Sequence, residues 1–132
     1  MIYDKPSIEL PVDDMDKECV ELCNLLNRIP GVETSESCCG HLKGRYQVWF
    51  YCYNLVSLSM LGRTVERNYS DGKWEILVDS CDSEPFALFW LRSKTKFRSE
   101  RAMAKSVNSL MESIKYWADP KFDTHFGCNS EH

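Results

Sequence analysis

Apolar residues recur at spacings of three and four through Met15, Cys19, Leu22, Cys23, Leu26 and Ile29, which predicts an amphipathic helix. Asp13 is its expected N-cap, with Asp14, Asp16 and Glu18 near the positive end of the helix dipole, and Pro30-Gly31 stops it. Residues 1–12 read as an extended arm with prolines at 6 and 11. Val32 to Ser37 predicts a strand with two polar faces, Val32/Thr34/Glu36 and Glu33/Ser35/Ser37, the pattern of an edge strand or one lining a site. A loop follows over 38–45, then an aromatic strand from Tyr46 to Tyr53. Asn54 caps a second helix with Leu55, Leu58, Leu61 and Val65 on its apolar side. Lys73 to Ser80 predicts a strand with Trp74, Ile76 and Val78 on one side. Asp82-Ser83-Glu84-Pro85 turns the chain, and Phe86 to Leu91 reads as a fully buried strand completing a hairpin. Ser99 caps a long helix that carries Met103, Val107, Leu110, Met111, Ile114 and Trp117 along one face and ends at Asp119-Pro120. The last residues, 119–132, show little pattern and read as a loosely ordered tail.

This order predicts an α+β fold: one domain over residues 1–132, with a mainly antiparallel sheet of four or five strands and three helices on one face. At 132 residues the chain buries a core without needing a disulfide or a metal to fold. The first residues lack the apolar core of a signal peptide, and no apolar run reaches the roughly 18 residues of a membrane span. A cytoplasmic protein with no membrane partner is expected. The seven cysteines then read as reduced thiols. Cys19, Cys23 and Cys52 fall within elements as small apolar side chains; Cys38, Cys39, Cys81 and Cys128 lie at element ends or in loops. The net charge of −4 argues against indiscriminate nucleic-acid binding. Six bases between Arg92 and Lys105 offer either a local phosphate patch or a solvated face. The aromatic residues fall inside elements and read as core rather than as a platform for bases.

Chemistry concentrates in Glu36-Ser37-Cys38-Cys39-Gly40-His41. Neighbouring side chains of an extended chain point to opposite faces, so one thiol is expected to pack and the other to be presented. A thiol beside an imidazole serves as nucleophile or metal ligand, with Cys38 the reactive or ligating group and His41 its proton partner or a second ligand. Ser37, Cys39, Gly40 and Arg45 complete the candidate ligand-binding loop. The plainer alternative is a buried thiol pair with a turn histidine. Cys38-x-x-His41 and His125-x-x-Cys128 together also make a Cys₂His₂ set for tetrahedral zinc. Asp79 to Glu84 supplies carboxylates that suit a general base or a polar turn. No P-loop, GxGxxG, GxSxG or HExxH occurs.

Pro30-Gly31-Val32, Thr34, Ser37-Cys38 and Gly40-His41, followed by an aromatic strand, resemble a group of uncharacterised bacterial and phage proteins. More distantly, the chain resembles the wybutosine-synthesis methyltransferase family, which methylates a tricyclic guanine derivative in transfer RNA. Thr34, Ser37, Cys38 and Gly40 occupy places of that family's Thr-x-Ser-Ser-Cys-Ser-Gly-Arg strand end. Glu36 and Cys39 stand where it has serines, and His41 where it has arginine. Glu84-Pro85-Phe86-Ala87-Leu88 is similar to its Glu-Pro-Phe-aliphatic-Leu strand. The resemblance implies a small-molecule or RNA ligand and S-adenosylmethionine as cofactor. Two expectations follow: a small-ligand-binding or RNA-modification-like protein, or a non-catalytic interaction module stabilised by zinc.

Overall fold

In the computed structural model, which describes residues 14–66, 72–80 and 88–118, the elements run α1 (Lys17–Asn27), β1 (Val32–Cys38), β2 (Gln47–Cys52), α2 (Leu55–Glu66), β3 (Trp74–Ser80), β4 (Leu88–Ser93) and α3 (Glu100–Ala118). The strands form one antiparallel sheet in the order β1-β2-β4-β3. The α+β fold is therefore as the sequence predicts. Val48, Phe50, Phe89, Leu91 and Trp74 point from the sheet into one core shared with Leu22, Leu26, Leu61, Val65, Met103 and Leu110 of the three helices. The helices thus cover a single face. No described helix is long and apolar enough to cross a membrane.

Local chemistry accounts for the element ends. The Asn54 side-chain oxygen accepts from the amides of Val56 and Ser57 at 2.9 and 3.2 Å, capping α2 as expected. Ser99 Oγ accepts from the Ala102 amide at 3.1 Å and caps α3. Gly31 holds φ +79°, and a Cβ there would lie 2.6 Å from Asn54 Cβ, so only glycine lets the α1–β1 turn sit against the α2 cap. Buried Asn27 closes α1 onto β1: its amide nitrogen donates to Thr34 Oγ1 at 2.9 Å, and its oxygen accepts from the Thr34 amide at 2.8 Å.

Four sequence expectations change. The N-cap of α1 is Asp16; Asp13 lies outside the described residues, as do the arm 1–12, Cys81 to Pro85 and the tail 119–132. Leu55 is 82% exposed, because the core face of α2 is built by Leu61 and Val65 with Ser57 and Thr64. β4 alternates between buried and half-buried positions, because no described helix covers its second face. Most informative is β1. Its register slips between Thr34 and Glu36, leaving Ser35 as an extra residue. Thr34 pairs with Phe50 and Ser37 with Val48, so Val32, Thr34 and Ser37 share the core face. Glu33, Glu36 and Cys38 share the other. A strict two-residue period puts Glu36 on the core face and Ser37 on the outer one, the reverse of their places here.

The outer sheet face carries Trp49 and Trp90, stacked across the strands at 5.6 Å with 10° between planes. The Arg92 guanidinium lies 4.1 Å over Trp90 and donates to Glu75 at 2.6 Å. Trp90 Nε1 donates to Gln47 at 3.1 Å. These two tryptophans are half-buried on the face away from the core, and Trp74 alone among the described tryptophan side chains is fully buried.

Candidate metal centre

The bulged strand β1 delivers Cys38 and Cys39 to the start of a tight left-handed turn. Gly40, His41 and Leu42 adopt φ of 82°, 52° and 63°. Glycine takes this conformation freely; histidine and leucine pay a strain of about 1–3 kcal/mol each. Leu42 is held because its side chain packs against the core. The Gly40 carbonyl accepts from the Lys43 and Gly44 amides at 2.9 and 3.0 Å. A Cβ on Gly40 would sit 2.6 Å from the Arg45 carbonyl oxygen, so the closure of this turn depends on glycine.

The two thiols part as expected. Cys39 is 3% exposed, whereas Cys38 is half-buried on the outer-face side of β1. Cys38 Sγ accepts from the Gly40 amide at 3.4 Å. Cys39 Sγ lies 3.6 Å from His41 Nδ1. The carboxylate of Asp16 completes the group. As N-cap of α1 it makes no side-chain hydrogen bond to its own helix. It accepts instead from the Cys39 amide at 2.8 Å, with Oδ2 3.6 Å from His41 Nε2. The Cys39 amide is the main influence holding the Asp16 carboxyl below its ordinary value; partial burial opposes it. Asp16, Cys38 and His41 each bring one ligand atom, and these atoms lie within 4.8 Å of one another.

Of the sequence-predicted site residues, the structure gathers Cys38, Cys39, Gly40 and His41 and separates the others. Ser37 faces the core beside Cys19 and Cys23. Arg45 Nη1 lies 4.0 Å from Glu75, which Arg92 also engages, so Arg45 is tied to the outer sheet face. His125 and Cys128 lie outside the described residues. Asp16 was absent from the expected site because acids at a helix start read as caps; only the turn of α1 toward β1 places it there.

Behind the turn lies a sulfur-rich wall. Cys19 and Cys23 are fully buried, as expected, and burial pushes their thiols up to about 12 and about 11 from an ordinary 9.0. Burial likewise raises Cys39 to about 11. Tyr46, fully buried, donates its hydroxyl to the Glu18 carbonyl at 2.8 Å and pins α1 to the sheet. Because the folded thiols titrate above 9.0, their contribution to stability is complete below that pH and is lost as pH rises toward about 12. Timed alkylation with peptide mapping is expected to label Cys38 ahead of Cys19, Cys23 and Cys39 at neutral pH. Equal rates would contradict this packing.

Compared with known proteins, the chain matches no family model, no curated protein and no solved structure.

Proposed function

We propose that this domain binds one zinc ion through Asp16, Cys38 and His41, with the fourth tetrahedral position left to water or an exchangeable small ligand. The carrying observation is that three donors of different type, from segments 23 residues apart, converge within 4.8 Å. Thiolate, imidazole and carboxylate are the donor types zinc takes. Bond lengths to these donors imply ligand–ligand separations of about 3.3–3.7 Å in a tetrahedron. The Asp16–His41 distance of 3.6 Å already meets that. Contraction of the remaining gaps by about 1 Å is within side-chain adjustment. A zinc ion with three protein ligands supplies a Lewis acid and a bound water of lowered pKa. Asp16, held anionic by the Cys39 amide, brings negative charge without proton release; Cys38 ionises on binding.

A cleft between α1 and α3, lined by Glu18, Glu21, Glu100, Met103, Val107 and Met111, has a volume of about 220 Å³. Cofactor sites typically span about 300–1,000 Å³. That cleft by itself falls below this range. The small-ligand reading of the loop then becomes an exchangeable ligand on the metal, and the RNA-modification reading rests on the family resemblance alone.

Elemental analysis after zinc loading and gel filtration is expected to give one zinc per chain. Asp16→Ala, Cys38→Ala and His41→Ala should each weaken binding by more than the roughly 10–100-fold typical of outer-shell changes. Full zinc retention in all three variants, or none in the wild type, would overturn the proposal. Loss of zinc on His125→Ala and Cys128→Ala would instead assign a closed four-ligand site of structural type.

A further inference from the structure

We propose that Cys39 is the positioning residue of this centre and acts through His41; the inference rests on the zinc reading above. Cys39 meets both of the other segments that form the site. Its amide donates to Asp16 Oδ2 at 2.8 Å, and its sulfur lies 3.6 Å from His41 Nδ1. Its side chain is 3% exposed, so the sulfur is fixed by the core. The His41 side chain is 65% exposed and is otherwise held near the site through Nε2, 3.6 Å from Asp16. A ring this open rotates freely unless its second nitrogen is engaged. The Cys39 sulfur is placed to engage it. With Nδ1 facing Cys39, Nε2 is the nitrogen turned to Asp16 and the metal.

A neutral imidazole that ligates through Nε2 carries its proton on Nδ1. That proton points at the Cys39 sulfur, which accepts it in a hydrogen bond while remaining a thiol. No proton is gained or lost by Cys39, and no bond forms there. This is the outer-partner arrangement by which ligating histidines are oriented, with sulfur in the place usually taken by a carboxylate or carbonyl. The adjacent cysteines therefore have separate duties: Cys38 ligates and Cys39 aims the ligand two residues on.

The test compares wild type, Cys39→Val and Cys39→Ser as full chains. Valine keeps an apolar side chain and removes the hydrogen-bonding sulfur; serine keeps hydrogen-bonding capacity. Cobalt(II) titration, read from its thiolate charge-transfer and ligand-field bands, gives affinity. Thermal unfolding of the metal-free proteins gives packing cost separately. The expected result is cobalt binding weakened about 10–100-fold in Cys39→Val and within a few-fold of wild type in Cys39→Ser. Imidazole nitrogen shifts of the zinc-loaded wild type should report His41 protonated on Nδ1. Unchanged affinity in Cys39→Val, or equal weakening in both variants, overturns the assignment while leaving the zinc site standing. A wild type that binds no cobalt overturns both. Should Cys39→Val not fold, the tautomer decides: a proton on Nε2 rejects the role, and one on Nδ1 that Cys39→Ser preserves supports it.

Discussion

Gly40→Ala is expected to destabilise the protein by roughly 2–5 kcal/mol and to abolish zinc binding in the same step. Two costs combine. A left-handed conformation costs an L-residue about 1–2 kcal/mol, and Gly40 sits at φ +82°. The new Cβ would also lie 2.6 Å from the oxygen and 2.9 Å from the carbon of the Arg45 carbonyl. Those are backbone atoms, so no side chain can swing aside. The turn would open, and His41 and Leu42, themselves left-handed at φ 52° and 63°, would move with it. His41 Nε2 would then leave its position 3.6 Å from Asp16. Gly44→Ala is the control: a Cβ there meets nothing within 4 Å. It should change the urea midpoint by less than about 0.5 kcal/mol equivalent and leave zinc stoichiometry intact. A Gly40→Ala protein with wild-type midpoint and full zinc content would mean the turn is not as described.

Trp74→Ala should cost about 3–5 kcal/mol, a large share of the 5–15 kcal/mol typical of a domain. Trp74 is fully buried. Its ring meets Tyr46 edge-on at 5.3 Å and 82°, and Phe97 at 5.9 Å. Its Nε1 donates to Ser106 Oγ at 2.9 Å, joining β3 to α3. Removing it opens a cavity at the point where sheet and helix meet. Tyr46 loses its packing partner, and the Tyr46 hydroxyl is what holds the start of α1 through Glu18. Weakened zinc binding should therefore accompany the loss of stability, because Asp16 precedes that same turn of helix. Trp74→Phe, which keeps an aromatic ring but not the hydrogen bond, should cost distinctly less. Guanidinium unfolding followed by circular dichroism separates these cases. Equal small losses in both variants would place the core elsewhere.

How much was legible in advance differs between fold and site. The helices of residues 17–27 and 100–118 were readable because each buries one stripe at a period of 3.6 and carries its own stop or cap, Pro30-Gly31 and Ser99. β2 announced itself by aromatic and β-branched residues. β1 was equally legible as a strand, but its faces were not, because Ser35 is an extra residue and a bulge inverts every assignment after it. The opposite duties of Cys38 and Cys39 were foreseeable from the alternation of an extended chain. The duties of Ser37 and Arg45 were not, since a side chain's partner in a sheet depends on register.

Local spacing along the chain is enough to put sulfur, imidazole and a glycine bend together at the end of a strand, and to enclose one core with three amphipathic helices and an antiparallel sheet. These are consequences of local spacing, which the chain carries wherever it goes. The tertiary structure alone decided that Asp16 is the third donor. Its carboxylate leaves the helix it begins and reaches the Cys39 amide 23 positions later, a contact that exists only once α1 has docked on β1. Local periodicity is blind to such a meeting, because the energy that brings the two segments together comes from burying side chains such as Leu22, Leu26, Val48 and Phe50, which are far apart in sequence.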